Sequence, residues 1–157
     1  MRILNPAPLT RQAFAPFGDV IEMEGSAHYT INQGFTERFN DLAFVDVASD
    51  GGSTNLSLFL GQPRPAPIEI RLMERHPLGS QIFIPLQERP WLVLVAVDVH
   101  DFTTYRAFLA TGRQGVNYAR NVWHHPLLVL DADSRFAIVD RKGPGSNLEE
   151  VWFEDDF

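Results

Sequence analysis

The chain has 157 residues, a formal charge of −7, 45% apolar residues and no cysteine. A chain of that length buries about 70% of its unfolded surface and forms one domain, 1–157. The missing thiols exclude disulfides, cysteine nucleophiles and zinc–thiolate sites, and an acidic balance without a basic cluster argues against nucleic acid and membrane surfaces as partners.

The opening MRILNPAPLTRQ has no apolar run of signal-peptide length, because Pro6 and Pro8 interrupt it. The longest apolar run, WLVLVAV from Trp91 to Val97, is far short of the roughly 20 residues that span a bilayer. A cytoplasmic location is the expectation. Thr10 is placed to cap a short N-terminal helix in LTRQAFAPFG, with Leu9 and Phe14 as its apolar contacts. Pro16 keeps that helix short, and Gly18 is its stop.

Nearly everything after Gly18 reads as strand: GDVIEM, LAFVDV, TNLSLFL, PIEIRLMERH, SQIFIPL, WLVLVAV, YRAFLA, PLLVL, RFAIVD and EEVWF. These segments are short, rich in β-branched and aromatic residues, and punctuated by Gly, Pro or Asp. They predict a mainly β sandwich or barrel without a linker or repeat. GQPRPAP, 61–67, reads as a stiff surface connection.

Alternation along IEIRLMERH puts Ile68, Ile70 and Leu72 on one face, and Glu74 and His76 continue it. A carboxylate and an imidazole are thus aimed into the interior, where an unpaired charge is costly. They need each other, a metal ion or a solvated cavity. Gln81 follows five residues after His76, and RNVWHHPLLVL brings His124 and His125 to the start of another apolar strand. Only one of two adjacent histidines can face inward, and parity alone does not choose between them. A buried structural ion pair of Glu74 with His76, and a hydrogen-bonded core histidine at 124 or 125, are the bland alternatives.

The spacing E-x-H-x4-Q, followed by a distant histidine, resembles the metal-binding motif of the cupins, small β-barrels with a double-stranded β-helix or jelly-roll topology. Glu74 stands where that motif has its first histidine, and Gln81 where it has a glutamate. His76 and His124 match. A closer resemblance covers about Phe17 to Gly143. The segments FGDVIE, INQGFTERFNDLA, ERHPLGSQIFIPL, RAFLATGRQGVNYARNVWHHPL and IVDRKG resemble the ureidoglycolate lyase (ureidoglycolate hydrolase) family. That resemblance implies a cupin-like antiparallel β-barrel, a homodimer, a divalent metal cofactor named as nickel, and urea elimination from (S)-ureidoglycolate to give glyoxylate in allantoin and purine breakdown.

The resemblance implies the site residues as well. Glu74, His76 and His124 would be catalytic, and the same three with Gln81 would hold the metal. Asn32, Arg38, Gln81 and Arg120 would bind the substrate. Arginine suits a carboxylate because it donates two parallel hydrogen bonds. Arg75 has outward parity and is a weaker candidate. The alternatives are an amidohydrolase releasing ammonia from the same substrate and a non-catalytic cupin-like module that binds a small hydroxy acid. The closing FEDDF reads as a solvated tail whose phenylalanines are candidates to anchor it on a partner subunit.

Overall fold

The computed structural model describes residues 2–154; 155–157, the end of FEDDF, lie outside them. One helical turn and fourteen strands follow one another: β1 (Ala7–Pro8), α1 (Arg11–Phe14), β2 (Gly18–Ile21), β3 (His28–Ile31), β4 (Thr36–Phe39), β5 (Ser53–Gly61), β6 (Leu72–Arg75), β7 (Gln81–Pro85), β8 (Trp91–Ala96), β9 (Tyr105–Ala110), β10 (Gly115–Tyr118), β11 (Trp123–His124), β12 (Leu128–Val129), β13 (Ser134–Lys142) and β14 (Glu149–Trp152). Seven of them form a sheet in the order β1-β9-β8-β11-β6-β14, with β12 also on β8. Five form a second sheet, β2-β10-β7-β13-β5, and β3 with β4 make a separate two-stranded ribbon.

The ladders do not close. Each large sheet ends in unpaired edges, so the expected closed antiparallel barrel gives way to a mainly β fold of several sheets. The irregular passage from β5 to β6 shows one reason, since Pro63, Pro65 and Pro67 remove three backbone donors from it. All the pairings are antiparallel except β1 on β9, which is parallel.

The main core lies between the two large sheets. Trp91, Val93 and Val95 of β8 meet Phe83, Phe136 and Ile138 of the opposite sheet. Trp91 packs edge-on against Phe136 with ring centroids 4.8 Å apart, a geometry worth about 0.5–1.5 kcal/mol beyond area burial. The odd residues of β8 face this core while Leu94 and Ala96 face outward, into a second apolar layer with Met73, Val99, Tyr105 and Leu128. The seven-stranded sheet is therefore covered on both faces.

Thr10 accepts a hydrogen bond from Ala13 N at 3.2 Å, and the helical turn it caps buries Phe14 completely. Gly18 has φ +149°, and a Cβ there would lie 1.8 Å from the Asn117 carbonyl oxygen, so only glycine fits where β2 meets β10.

LAFVDV, expected as a strand, is irregular, and Phe44 and Val45 are exposed. Side chains hold it instead: Phe44 N donates to Asp19, Asp46 N to Ser80 Oγ, and Asn117 Nδ2 to the Phe44 carbonyl. Chain that satisfies itself through side chains has no ladder to join. The ribbon β3–β4, and β10 in QGVNY, are strands the sequence pattern did not announce.

Candidate functional site

β6 and β11 are neighbours, and their register sets Glu74 directly opposite His124. Directly opposed residues in an antiparallel pair share a face, so both point into the space between the sheets. His124 is 1% exposed; its Nδ1 donates to the Val122 carbonyl at 3.0 Å. That bond makes Nδ1 the donor and leaves Nε2 facing Glu74 Oε1 at 3.5 Å. The gap is too long for a good hydrogen bond, and Nε2 is a buried nitrogen without a hydrogen-bond partner. Tyr118 of β10 lies flat on the His124 ring, with centroids 4.1 Å apart and planes within 6°, and locks its orientation.

His76 lies just beyond β6, its ring 5.2 Å from that of His124. Its Nδ1 donates to the Asn147 carbonyl at 2.8 Å, and its Nε2 meets Gln81 Oε1 at 2.9 Å. Gln81 is turned so that its Nε2 donates to Asp140 Oδ2, while Asp140 Oδ1 accepts from Asn55. The amide oxygen is therefore the end presented to His76, and Nε2 of that ring is a donor in this arrangement.

Burial pushes the Glu74 carboxyl upward. The contact with His124 and the charges of His124, His76 and His125 outweigh it, so the group stays below its ordinary value. Burial, with a contribution from Glu74, raises the Tyr118 phenol and keeps it neutral. His125, also buried, donates Nδ1 to the Pro126 carbonyl; burial is the main cause that pushes its imidazole down to about 4, and the Arg64 charge adds to it.

Donor atoms of Glu74, His76 and His124 lie within 4.8 Å of one another. Ligands about 2.0–2.2 Å from a common ion stand roughly 3–4.3 Å apart, so this trio needs only a small contraction to hold one. One oxygen and two imidazole nitrogens suit a divalent transition ion. The orphaned Nε2 of His124 is the feature such an ion would satisfy. The donor set fits.

The proposed substrate ligands fare unequally. Gln81 joins the cluster, as above. Arg120 does not: it is clamped by Asp46 through two bonds of 3.0 and 2.8 Å and by Ser49 at 2.7 Å. The Asp46 hydrogen bonds raise its pKa and fix it as a structural cation. Asn32 and Arg38 lie on the β3–β4 ribbon, which has no hydrogen-bonded ladder to either of the cluster's two sheets. Asn32 serves the ribbon's turn, with φ +53° and Nδ2 donating to Thr36 Oγ1. Arg75 faces outward, pairing with Glu149 and lying 4.5 Å over the Trp123 ring. Tyr118, Asp140 and Asn55 went unnoticed in the sequence. The alternation of SRFAIVDRK could have placed Asp140 on the inner face behind Phe136 and Ile138, but nothing local ties it to Gln81.

Comparison with known proteins adds a line that is independent of this geometry. A family model described as ureidoglycolate lyase matches residues 1–157. Ureidoglycolate lyase 1 of Rhizobium meliloti (strain 1021) is 55% identical over 156 residues, covering 99% of this chain and 92% of that protein. Ureidoglycolate lyase of Burkholderia cepacia is 56% identical over 154 residues, covering 97% and 87%. Among solved structures, a dTDP sugar isomerase from Desulfovibrio desulfuricans G20 matches at 19% identity with a TM-score of 0.42, over 82% of this chain and 84% of that one.

Proposed function

The chain belongs to the ureidoglycolate lyase family, and from that membership we propose how its residues split (S)-ureidoglycolate into glyoxylate and urea. One carbon of the substrate bears a hydroxyl, a carboxylate, a hydrogen and a urea nitrogen. Cleavage breaks the carbon–nitrogen bond, turns the hydroxyl into the aldehyde carbonyl, and moves one proton from the oxygen to the departing nitrogen. No water is consumed.

Glu74 and His124 Nε2 are the acceptors. The carboxylate is held ionised and Nε2 of the imidazole is aimed at the same space, so the hydroxyl proton goes to this pair and is shared within it. His76 Nε2, made a donor by the Gln81 oxygen, delivers a proton to the leaving nitrogen. Gln81, anchored by Asp140, keeps that polarity. Each positioned proton transfer is worth about 10²–10⁴-fold in rate. A divalent ion held by Glu74, His76 and His124 is the alternative to these proton transfers, since it would occupy the same lone pairs; it would supply Lewis-acid activation of the substrate's hydroxyl and carboxylate oxygens in their place. The single observation that carries this reading is the convergence of Glu74, His76 and the unpartnered His124 nitrogen.

The finer expectations belong to the same proposal. The two large sheets are read as the halves of one cupin-like domain, 1–157, working as a cytoplasmic homodimer in allantoin breakdown. No helix among the described residues is long and apolar enough to cross a membrane. On the outer face of the five-stranded sheet, Leu56, Leu58 and Leu60 are 71%, 73% and 63% exposed along the edge strand β5. A row of that kind supports self-association.

The test is product analysis with fresh (S)-ureidoglycolate, reading urea, glyoxylate and ammonia together against a protein-free control. Enzyme-dependent urea and glyoxylate in equal amounts, without ammonia, is the expected result. Ammonia release would transfer the chain to the amidohydrolase reading, and no acceleration would leave only a binding module.

A further inference from the structure

The ribbon formed by β3 and β4 is anomalous. It has no hydrogen-bonded ladder to either large sheet, and seven residues in succession, from Asn32 to Arg38, are exposed. Phe35, at its tip, is 91% exposed, and Tyr29 is 48%. An isolated two-stranded hairpin is at best marginally stable in water. Four residues per strand extend it roughly 13 Å.

Its two faces differ. On one, His28, Thr30, Glu37 and Phe39 satisfy one another: His28 pairs with Glu37, Thr30 Oγ1 donates to Glu37, and the His28 ring lies 4.9 Å from Phe39. The other face carries Tyr29 opposite Arg38 and Ile31 opposite Thr36. Among the described residues, Arg38 makes no hydrogen bond or ion pair. This is an apolar and cationic face without a partner.

The Glu74, His76, Gln81 and His124 cluster has the complementary deficiency. It must receive an anionic substrate, yet no arginine among the described residues bonds to any of its four members. Arg120 is held by Asp46, Arg75 by Glu149, and Arg141 by the carbonyls of Ser49, Asp50 and Pro144. A cation without a target and a site without a cation occur on one chain, and a two-fold pair of chains can satisfy both at once.

We propose that the β3–β4 ribbon is an exchange arm that docks on a second copy of this chain and delivers Arg38 to the copy's site, where the guanidinium binds the substrate carboxylate. Phe35 and Tyr29 supply the apolar contact that seats the arm. The proposal rests on the lyase reading for its substrate, but not for its interface.

Two measurements separate the parts. By sedimentation equilibrium the wild-type chain is dimeric, and Phe35→Asp weakens the dimer at least ~30-fold, the loss expected for a central aromatic anchor. A monomeric wild type, or an unaffected dimer in Phe35→Asp, overturns the arm even if the chain is a lyase. The second measurement mixes subunits. Arg38→Ala and His124→Ala are each inactive alone. Unfolded together in equal amounts and refolded, they give a mixed dimer with one complete site, and random pairing restores about a quarter of wild-type activity. No restoration, with mixed dimers verified by mass, places Arg38 at its own chain's site and overturns exchange. Full activity in Arg38→Ala alone also overturns it, and Arg64→Ala then tests a cation whose charge reaches His125, next to the site. If wild type itself fails to accelerate the reaction, the substrate assignment falls while the sedimentation result still judges the interface.

Discussion

Tyr118 is the residue on which packing and chemistry meet. Its ring touches Phe14 at 6.1 Å, Phe83 at 5.6 Å and His124 at 4.1 Å between centroids, and the side chain is 4% exposed. Tyr118→Ala removes all three contacts and leaves a void between the sheets. Large-to-small changes of an aromatic in a core cost about 3–5 kcal/mol. In a domain of this size each kcal/mol moves Tm by about 2–4 °C, so Tm falls by roughly 6–20 °C. The same change frees the His124 ring to tilt, and a 1 Å misplacement of a reacting group can cost ~10²-fold in kcat. Tyr118→Phe keeps the stack and loses only the hydroxyl, so both quantities stay near wild type. Scanning calorimetry and steady-state kinetics, the latter well below the mutant's Tm, read the two effects separately. A Tm drop below about 3 °C in Tyr118→Ala would refute the packing argument. An unchanged kcat would refute the claim that stacking positions His124.

Further outcomes follow from the same geometry. His124→Ala lowers kcat/KM by at least ~10³-fold with the β circular dichroism signal intact; retained turnover would put the chemistry elsewhere. Buried His125 has its folded-state value pushed from 6.5 to about 4, so the unfolded chain binds the extra proton in that window. Stability is therefore full above 6.5 and declines by about 3 kcal/mol as pH falls to 4, and urea titrations of His125→Phe should lose that slope. Adding nickel ion raises the wild-type Tm as mass action requires, whereas His124→Ala shows no shift; equal shifts in both would deny the three-residue donor set. Gly18→Ala, forcing a Cβ to 1.8 Å from a backbone oxygen, yields little folded protein in expression trials.

The most legible part of the site was β6. Alternation from Ile68 to His76 assigns Glu74 and His76 to one face; the strand itself covers only Leu72–Arg75, and Ile68 and Ile70 pack instead in the layer of Met73, but Glu74 does face His124 across a single register pair. The choice of His124 over its neighbour needed the family pattern, because adjacent residues in a strand are symmetric to parity. β10 escaped notice because all four of its residues are buried, Asn117 included, so it shows no alternation to detect. The ribbon escaped for the opposite reason, being polar or exposed on both faces. Arg120 looked available in the sequence; only folding reveals Asp46, 74 positions away, already holding it. Long-range polar pairing of that kind leaves no periodic trace.

The apolar layer on the far side of the seven-stranded sheet has a consequence for how this protein can evolve. In β6, Glu74 points to the site, while Met73, on the opposite face, is wholly buried in that layer. Inserting or deleting one residue within the strand would drive the carboxylate into hydrocarbon and turn a methionine toward the substrate. Both faces would object at once. Length variation among descendants of this sequence should therefore collect in the proline-rich passage before Ile68 and spare the run from Leu72 to Gln81. The reading frame of a single short strand, guarded from two sides, keeps the chemistry in phase with the fold.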